Sequence, residues 1–126
     1  MNAVVLADTE GRIVAWDAGA EALFGHPAAE AIGRTLDLIV PPAFRDQHWS
    51  GFRRAMATGE CRLDRAAANL PVLHADGAER LVPARFVFLT DGRGTPAGAA
   101  AVYAEPAGDE ELWGPVLPRP AEERAP

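Results

Sequence analysis

The chain has 126 residues, a length that suits one domain with its own hydrophobic core and is short for two. Its net charge of −6 argues against nucleic-acid and anionic-membrane partners, because both are bound by clusters of Lys and Arg. The single cysteine, Cys61, excludes an internal disulfide and a cysteine-based zinc site. A lone thiol, no apolar run near ~20 residues and no signal-peptide character together predict a cytoplasmic protein.

The first half of the chain is predicted to form a hairpin followed by helices. Strands are expected over 3–8 and 12–16, and helices from Asp17 to Gly25, over 26–33 and over 43–57. Gly11 lies in a turn between the two strands, where a glycine can adopt positive φ. Asp17 is typical of a helix N-cap, and Gly25 of a helix end. Pro42 has a favourable first-turn position for the longest helix.

The second half is predicted to be mainly β-structure. Strands are expected near 66–74, 80–90 and 97–106, with Gly-containing turns between them. Helices and strands are thus segregated along the chain, which indicates an α+β fold with an antiparallel sheet. We expect one domain over residues 1–106. Proline becomes frequent and periodicity is lost over 107–126, which we interpret as a C-terminal tail.

One histidine lies within the apolar side of the longest predicted helix. At helical spacing, His48 shares a face with Phe44, Phe52, Ala55 and Met56. Periodicity alone favours a core histidine that bonds a backbone carbonyl. The alternative is a neutral imidazole that binds a metal or cofactor in an apolar pocket. One histidine cannot build a tetrahedral zinc site, but a single axial histidine is sufficient for haem iron.

Other candidate catalytic residues lack a supporting context. Ser50, the only serine, falls within the longest predicted helix, and Cys61 has no neighbouring pattern that would activate its thiol. His26 is interpreted as a solvated helix-start residue and His74 as a surface residue at a strand end. An enzyme is therefore not predicted.

Several stretches resemble the signatures of PAS domains. VVLADTEGRIVAWDAGAEALFGHPAAEAIGRTLDLIVPP, HADGAERLVPARF and AGAAAVYAEP are similar to D-x-x-G-x-I-x-x-W-N, A-x-x-x-F-G-Y, E-x-I-G-R and D-G-x-x-x-P in order and spacing. Asp17 and His26 depart from the usual Asn and Tyr, and YAEP replaces the common R-D-[IV]-T. The resemblance implies the α+β PAS fold, with a five-stranded antiparallel sheet and short helices and one long helix packed on one face.

The segment PPAFRDQHWSGF resembles a haem-binding subgroup of PAS domains, the oxygen sensors of rhizobial histidine kinases, with their P-E-x-x-R-x-R-H-D-x-Y segment. This resemblance places His48 at the position of the proximal ligand of haem b. It places Arg54 and Arg62 where those sensors contact the haem propionates, and a guanidinium suits a carboxylate. The remaining residues implied to line the haem pocket are Phe44, Trp49, Phe52, Leu63, Ala68, Asn69, Ala84, Phe86 and Tyr103.

The distal side of the implied pocket departs from the subgroup. Ala68 aligns with the arginine that donates a hydrogen bond to bound O₂ in those sensors. Without a donor, the site would favour CO or NO relative to O₂, unless Asn69, Trp49 or Tyr103 supplies one. Because strand side chains alternate, Asn69 is expected to point away from the face of Ala68.

The resemblance thus implies a haem b PAS domain that senses a diatomic gas. We expect a homodimer that signals to a partner protein, with no nucleic-acid or membrane partner and at most incidental peroxidase or group-transfer activity of the haem. The alternative is a haem-free PAS module for protein interaction, or a sensor of another small ligand. In that case His48 is a core residue.

Overall fold

The computed structural model describes residues 2–60 and 67–104, and only the backbone of residues 67 and 68. In chain order the elements are β1 (Ala3–Ala7), β2 (Ile13–Trp16), α1 (Ala18–Phe24), α2 (Ala28–Ala31), α3 (Arg45–Thr58), β3 (Ala67–Leu73), β4 (Glu79–Thr90) and β5 (Pro96–Tyr103). Short 3-10 turns at Leu36–Leu38 and Pro42–Phe44 precede α3. The predicted tail lies outside the described residues. No helix within the described ranges has the length and apolar character needed to cross a bilayer.

The five strands form one antiparallel sheet in the order β2-β1-β5-β4-β3. Hairpins join β3 to β4 and β4 to β5, and β1 then pairs with β5, so the N-terminal hairpin completes the sheet. The predicted α+β class and five-stranded antiparallel sheet are confirmed. This order places the first and last described strands side by side at the centre of the sheet.

Local capping explains the first helix. The Asp17 carboxylate accepts hydrogen bonds from the backbone N–H groups of Ala20, at 2.8 Å, and Val4, at 3.0 Å. The same side chain therefore caps α1 and ties it to β1. Gly25 ends the helix with φ +81°, and its N–H bonds the Glu21 carbonyl at 3.0 Å. The predicted cap and helix end are both confirmed.

The other predicted boundaries shift slightly. α3 begins at Arg45 rather than residue 43, because Pro42–Phe44 form a tighter 3-10 turn. The helix predicted over 26–33 is shorter, since its extended C-cap Ile32 leads into Gly33 at φ +93°. Strand β5 ends at Tyr103 instead of residue 106.

Three aromatic rings form the centre of the core between the sheet and α1. Phe24 is fully buried, and its ring centroid lies 5.3 Å from that of Trp16 and 5.1 Å from that of Tyr103. The Phe24–Tyr103 pair meets edge to face, a favourable aromatic geometry. We call Trp16, Phe24 and Tyr103 the sheet-face cluster. The Trp16 indole N–H is satisfied by the His26 carbonyl at 2.9 Å.

Candidate functional site

Helix α3 carries a second group of three rings, His48, Trp49 and Phe52, which we call the α3 cluster. The His48 and Trp49 centroids are 4.8 Å apart and those of Trp49 and Phe52 are 5.6 Å apart, both with edge-to-face geometry. His48 and Phe52 lie 5.9 Å apart and are nearly parallel. Helical spacing brings His48 and Phe52 together, as the apolar stripe predicted, whereas Trp49 was not part of that stripe. Each member is half-buried.

The imidazole of His48 is poorly solvated. Its Nδ1 is buried and has no hydrogen-bond partner among the described residues. Burial lowers the pKa of His48 from 6.5 to about 4, and the nearby Asp37 carboxylate raises it by less. The ring is therefore neutral at pH 7 and retains a lone pair. A neutral, desolvated imidazole is the form that binds a metal ion.

Trp49 is held in place from two sides. Its indole N–H donates to Asp37 Oδ1 at 2.7 Å, which joins α3 to the 3-10 turn at Leu36–Leu38. On the other side the ring covers Gly11 in the β1–β2 turn, where a Cβ atom would overlap the indole. Gly11 also has φ +82°, a conformation that glycine adopts most easily. Trp49 thus fixes the position of the α3 cluster over the end of the first hairpin.

Asp37 also has a cationic neighbour, Arg45. The Arg45 guanidinium donates to the Val40 and Asp37 carbonyls at 3.1 and 3.2 Å, and its Nε lies 3.8 Å from Asp37 Oδ1. These bonds connect the first turn of α3 to the segment before it. The sequence pattern did not single out Asp37 or Gly11 as part of the site. Each is separated from Trp49 by at least a dozen residues, so no local sequence pattern indicates its contact with Trp49.

The sheet side of the predicted haem pocket is formed by residues on one face of β4 and β5. Ala84 pairs with Tyr103, and Phe86 pairs with Ala101 in the same register, so these side chains share the face that carries the core. Ala84 is 0% exposed and Tyr103 packs on Phe24. Burial also raises the pKa of the Tyr103 hydroxyl, which stays protonated at neutral pH.

The other predicted site residues lie at different places. Asn69 pairs with Pro83 in a register without a bulge, so it faces away from Ala84, as expected, and is 2% exposed. The backbone of Ala68 pairs with Ala84. Phe44 is buried just before α3, whereas Arg54 is exposed on the helix. The predicted positions Arg62 and Leu63 lie outside the described residues.

The residues of this region fit haem in one respect and oppose it in another. The neutral, half-buried imidazole of His48 and its aromatic neighbours suit an axial ligand of haem iron. In contrast, Ala84 has no exposed surface, so no water-sized space adjoins it in this conformation. Within the described ranges, no group of three or more His, Cys, Asp or Glu side chains converges to hold a metal ion. Haem iron needs only one axial histidine from the protein.

Comparison with known proteins identifies the fold. A family model described as "PAS fold" matches residues 1–108. An uncharacterised protein of Azorhizobium caulinodans is 40% identical over 79 residues, which are 62% of this chain and 11% of that protein. The chain thus spans about a tenth of this relative's length.

Solved structures agree with the family match at the level of the fold. The PAS domain of a Colwellia psychrerythraea protein superimposes with a TM-score of 0.69 at 22% identity and covers 82% of this chain and 84% of that chain. The PAS domain of the histidine kinase ThkA gives a TM-score of 0.55 at 20% identity, with coverage of 83% and 100%. Likenesses at this level of identity show the shared architecture alone.

Proposed function

The chain belongs to the PAS-fold family and is a PAS sensor or signalling domain, and we propose that it binds haem b through His48 and senses a diatomic gas. One observation carries the proposal: the His48 imidazole is half-buried among aromatic rings and is neutral at pH 7. A neutral imidazole in apolar surroundings is the form that binds haem iron.

The surroundings of His48 support a haem rather than a hydrated metal ion. Trp49 and Phe52 flank the imidazole, and flat aromatic surfaces suit a porphyrin ring. Haem when bound would supply iron with an open position for a gas. His48 would hold the iron, and Arg54 and Arg62 would bind the propionates. Of these two arginines, Arg54 is exposed and free to turn towards a carboxylate.

The choice among O₂, CO and NO depends on which residue replaces the missing distal donor. Of the three residues that could replace the missing distal donor, Asn69 lies on the opposite face of the sheet. Trp49 already donates its indole N–H to Asp37 and lies on the helix that carries His48. Tyr103 alone shares the face of Ala84. Bound O₂ gains most from a donor because it carries partial negative charge, so we propose O₂ if the Tyr103 hydroxyl reaches the bound gas, and CO or NO if it does not.

Haem uptake would have to open the core. Ala84 and Tyr103 are buried, and Phe24 of α1 packs on Tyr103, so the helices must move away from the sheet to admit a porphyrin. Of the two helices α1 and α3, α3 has the weaker contact, because its aromatic cluster is only half-buried. Such a movement would also transmit a conformational change from the ligand site to the sheet, and from the sheet to a partner domain.

The test is an absorption titration of purified protein with hemin. Wild type is expected to show a saturable Soret band at one haem per chain, and His48→Ala is expected to lose or displace it. His26→Ala and His74→Ala are matched controls, since these are the other two histidines of the chain. Both controls should retain the wild-type spectrum. A spectrum unchanged by His48→Ala would disprove the assignment.

A haem-free interaction module is the second candidate function. It is favoured by the closed core and by two apolar side chains on the outer face of β4, Leu81 at 45% and Val87 at 37% exposure. That face could mediate the expected homodimer or contact with a signalling protein. Sedimentation of protein prepared without haem would distinguish the candidates. A stable dimer that Leu81→Asp dissociates, with no hemin binding, would favour this one.

A further inference from the structure

A polar cleft lies beside the α3 cluster and contains none of the residues assigned to haem. It is an open cleft of about 360 Å³, a volume in the range of small-ligand sites. Its walls come from three parts of the chain: the α1–α2 link, the segment from residue 34 to the start of α3, and the β3–β4 turn. The polar side chains that line it are His26, Arg34, Asp37, Arg45 and His74.

Main-chain hydrogen bonds fix the walls of this cleft. Leu73 N–H donates to the Ile39 carbonyl at 2.9 Å, which ties the end of β3 to the segment before α3. Ala75 N–H donates to the Phe24 carbonyl at 2.9 Å, which ties the β3–β4 turn to the end of α1. The cleft is therefore built in advance of any ligand, and preorganisation of this kind lowers the cost of binding.

The charges in the cleft favour an anion. Arg34 is exposed and has no ion-pair partner in the described part of the chain. Arg45 is partly neutralised by Asp37, and Asp76 lies 3.1 Å from His74 Nδ1. This leaves one uncompensated guanidinium together with two imidazoles, in a protein whose net charge is −6. A guanidinium binds carboxylate and phosphate groups through two parallel hydrogen bonds.

We propose that the cleft lined by Arg34, Arg45, His26 and His74 binds a small organic anion that carries a carboxylate or phosphate group. Arg34 supplies the main charge, and the two histidines supply hydrogen-bond donors. Asp37 connects the cleft to the α3 cluster, because it both lines the cleft and accepts the Trp49 indole N–H. An anion that competes for Arg45 changes the surroundings of Trp49. The proposed haem site is not needed for this binding.

The test uses the full chain without hemin. Calorimetric titrations with succinate and with inorganic phosphate, at constant ionic strength, are expected to show one saturable site for at least one of the two anions. The same titration followed by ¹H–¹⁵N NMR should shift the Trp49 indole signal, which is identified with Trp49→Phe. The preference between the two probes distinguishes a carboxylate ligand from a phosphate ligand.

Arginine variants locate the site. Arg34→Gln should weaken binding about tenfold or more, since it removes a charge-assisted hydrogen bond. Arg34→Lys keeps the positive charge but not the two parallel N–H donors of the guanidinium, so it should weaken anion binding less than Arg34→Gln. Arg93→Gln is the matched control, because it removes the same charge in the turn after β4, at the far end of that strand from the cleft. Absence of saturable binding, or equal weakening by Arg93→Gln and Arg34→Gln, would overturn the proposal.

Discussion

The sheet-face cluster and the α3 cluster each consist of three rings, but they differ in burial and in hydrogen bonding. Phe24 is fully buried in the first, and its neighbours Trp16 and Tyr103 are almost so. Every ring of the second is half-buried, and one of them is an imidazole with an unpartnered nitrogen. The difference indicates that the first cluster supports the fold. The second contains a polar group, the His48 imidazole, that lacks a hydrogen-bond partner at Nδ1 in the described residues, and it is the cluster where we propose that a ligand binds.

A matched pair of truncations should show the largest contrast between the clusters. Phe24→Ala removes a fully buried ring and is expected to lower the free energy of unfolding by about 3–5 kcal/mol. Phe52→Ala removes a half-buried ring and should cost about 1–2 kcal/mol. Urea unfolding followed by circular dichroism measures both. Equal losses would mean that α3 is as much a part of the core as α1.

A glycine pair tests how closely α3 rests on the first hairpin. Gly11→Ala combines positive-φ strain with overlap of the Trp49 ring, and we expect a loss of about 2–3 kcal/mol. Gly94→Ala has nearly the same φ, +85°, but open space around the added methyl group, and should cost about 1 kcal/mol. The difference between the two variants isolates the contact with Trp49. If both lose the same amount, the indole moves aside without cost.

The pH dependence of stability should reveal the unusual state of His48. Its pKa is about 4 in the folded protein and 6.5 when unfolded, so the unfolded chain binds the extra proton first as pH falls. Stability is therefore lost between pH 6.5 and 4. We expect a loss of about 1–2 kcal/mol, since the ring is only half-buried.

The comparison with His48→Gln isolates this contribution, because glutamine does not titrate. Carboxyl groups that titrate in the same pH range affect both proteins alike and cancel in the difference. Urea unfolding at several pH values provides the data. A difference in stability that stays constant from pH 7 to pH 4 would show that the imidazole is solvated in the folded protein.

The elements with local signals were predicted well from the sequence. Asp17 and Gly25 delimit α1 as expected, because capping depends on residues only a few positions apart. The apolar stripe with His48 was also correct, since helical periodicity alone brings His48 and Phe52 together. The ends of the helices and strands were predicted less accurately. The start of α3 was misplaced by two residues, because both a 3-10 turn and an α-helix accept proline in their first turn.

The contacts that complete the site could not be predicted in this way. The bond between Trp49 and Asp37, the packing of Trp49 on Gly11 and the cleft around Arg34 all join segments that are distant in the chain. The face on which Asn69 lies depended on whether β3 carried a bulge, and the regular register with β4 decided it.

The sequence by itself determined the fold class and the family resemblance, because periodicity, caps and motif spacing are properties of short segments. Haem b as the ligand stays a prediction that the resemblance implies. The tertiary structure decided which side chains are buried and which polar atoms have hydrogen-bond partners. It closed Ala84 and Tyr103 into the core, and it left Nδ1 of His48 buried without a partner in the described residues. Burial and hydrogen-bond satisfaction depend on what the rest of the chain places around a side chain, and only the assembled fold specifies that.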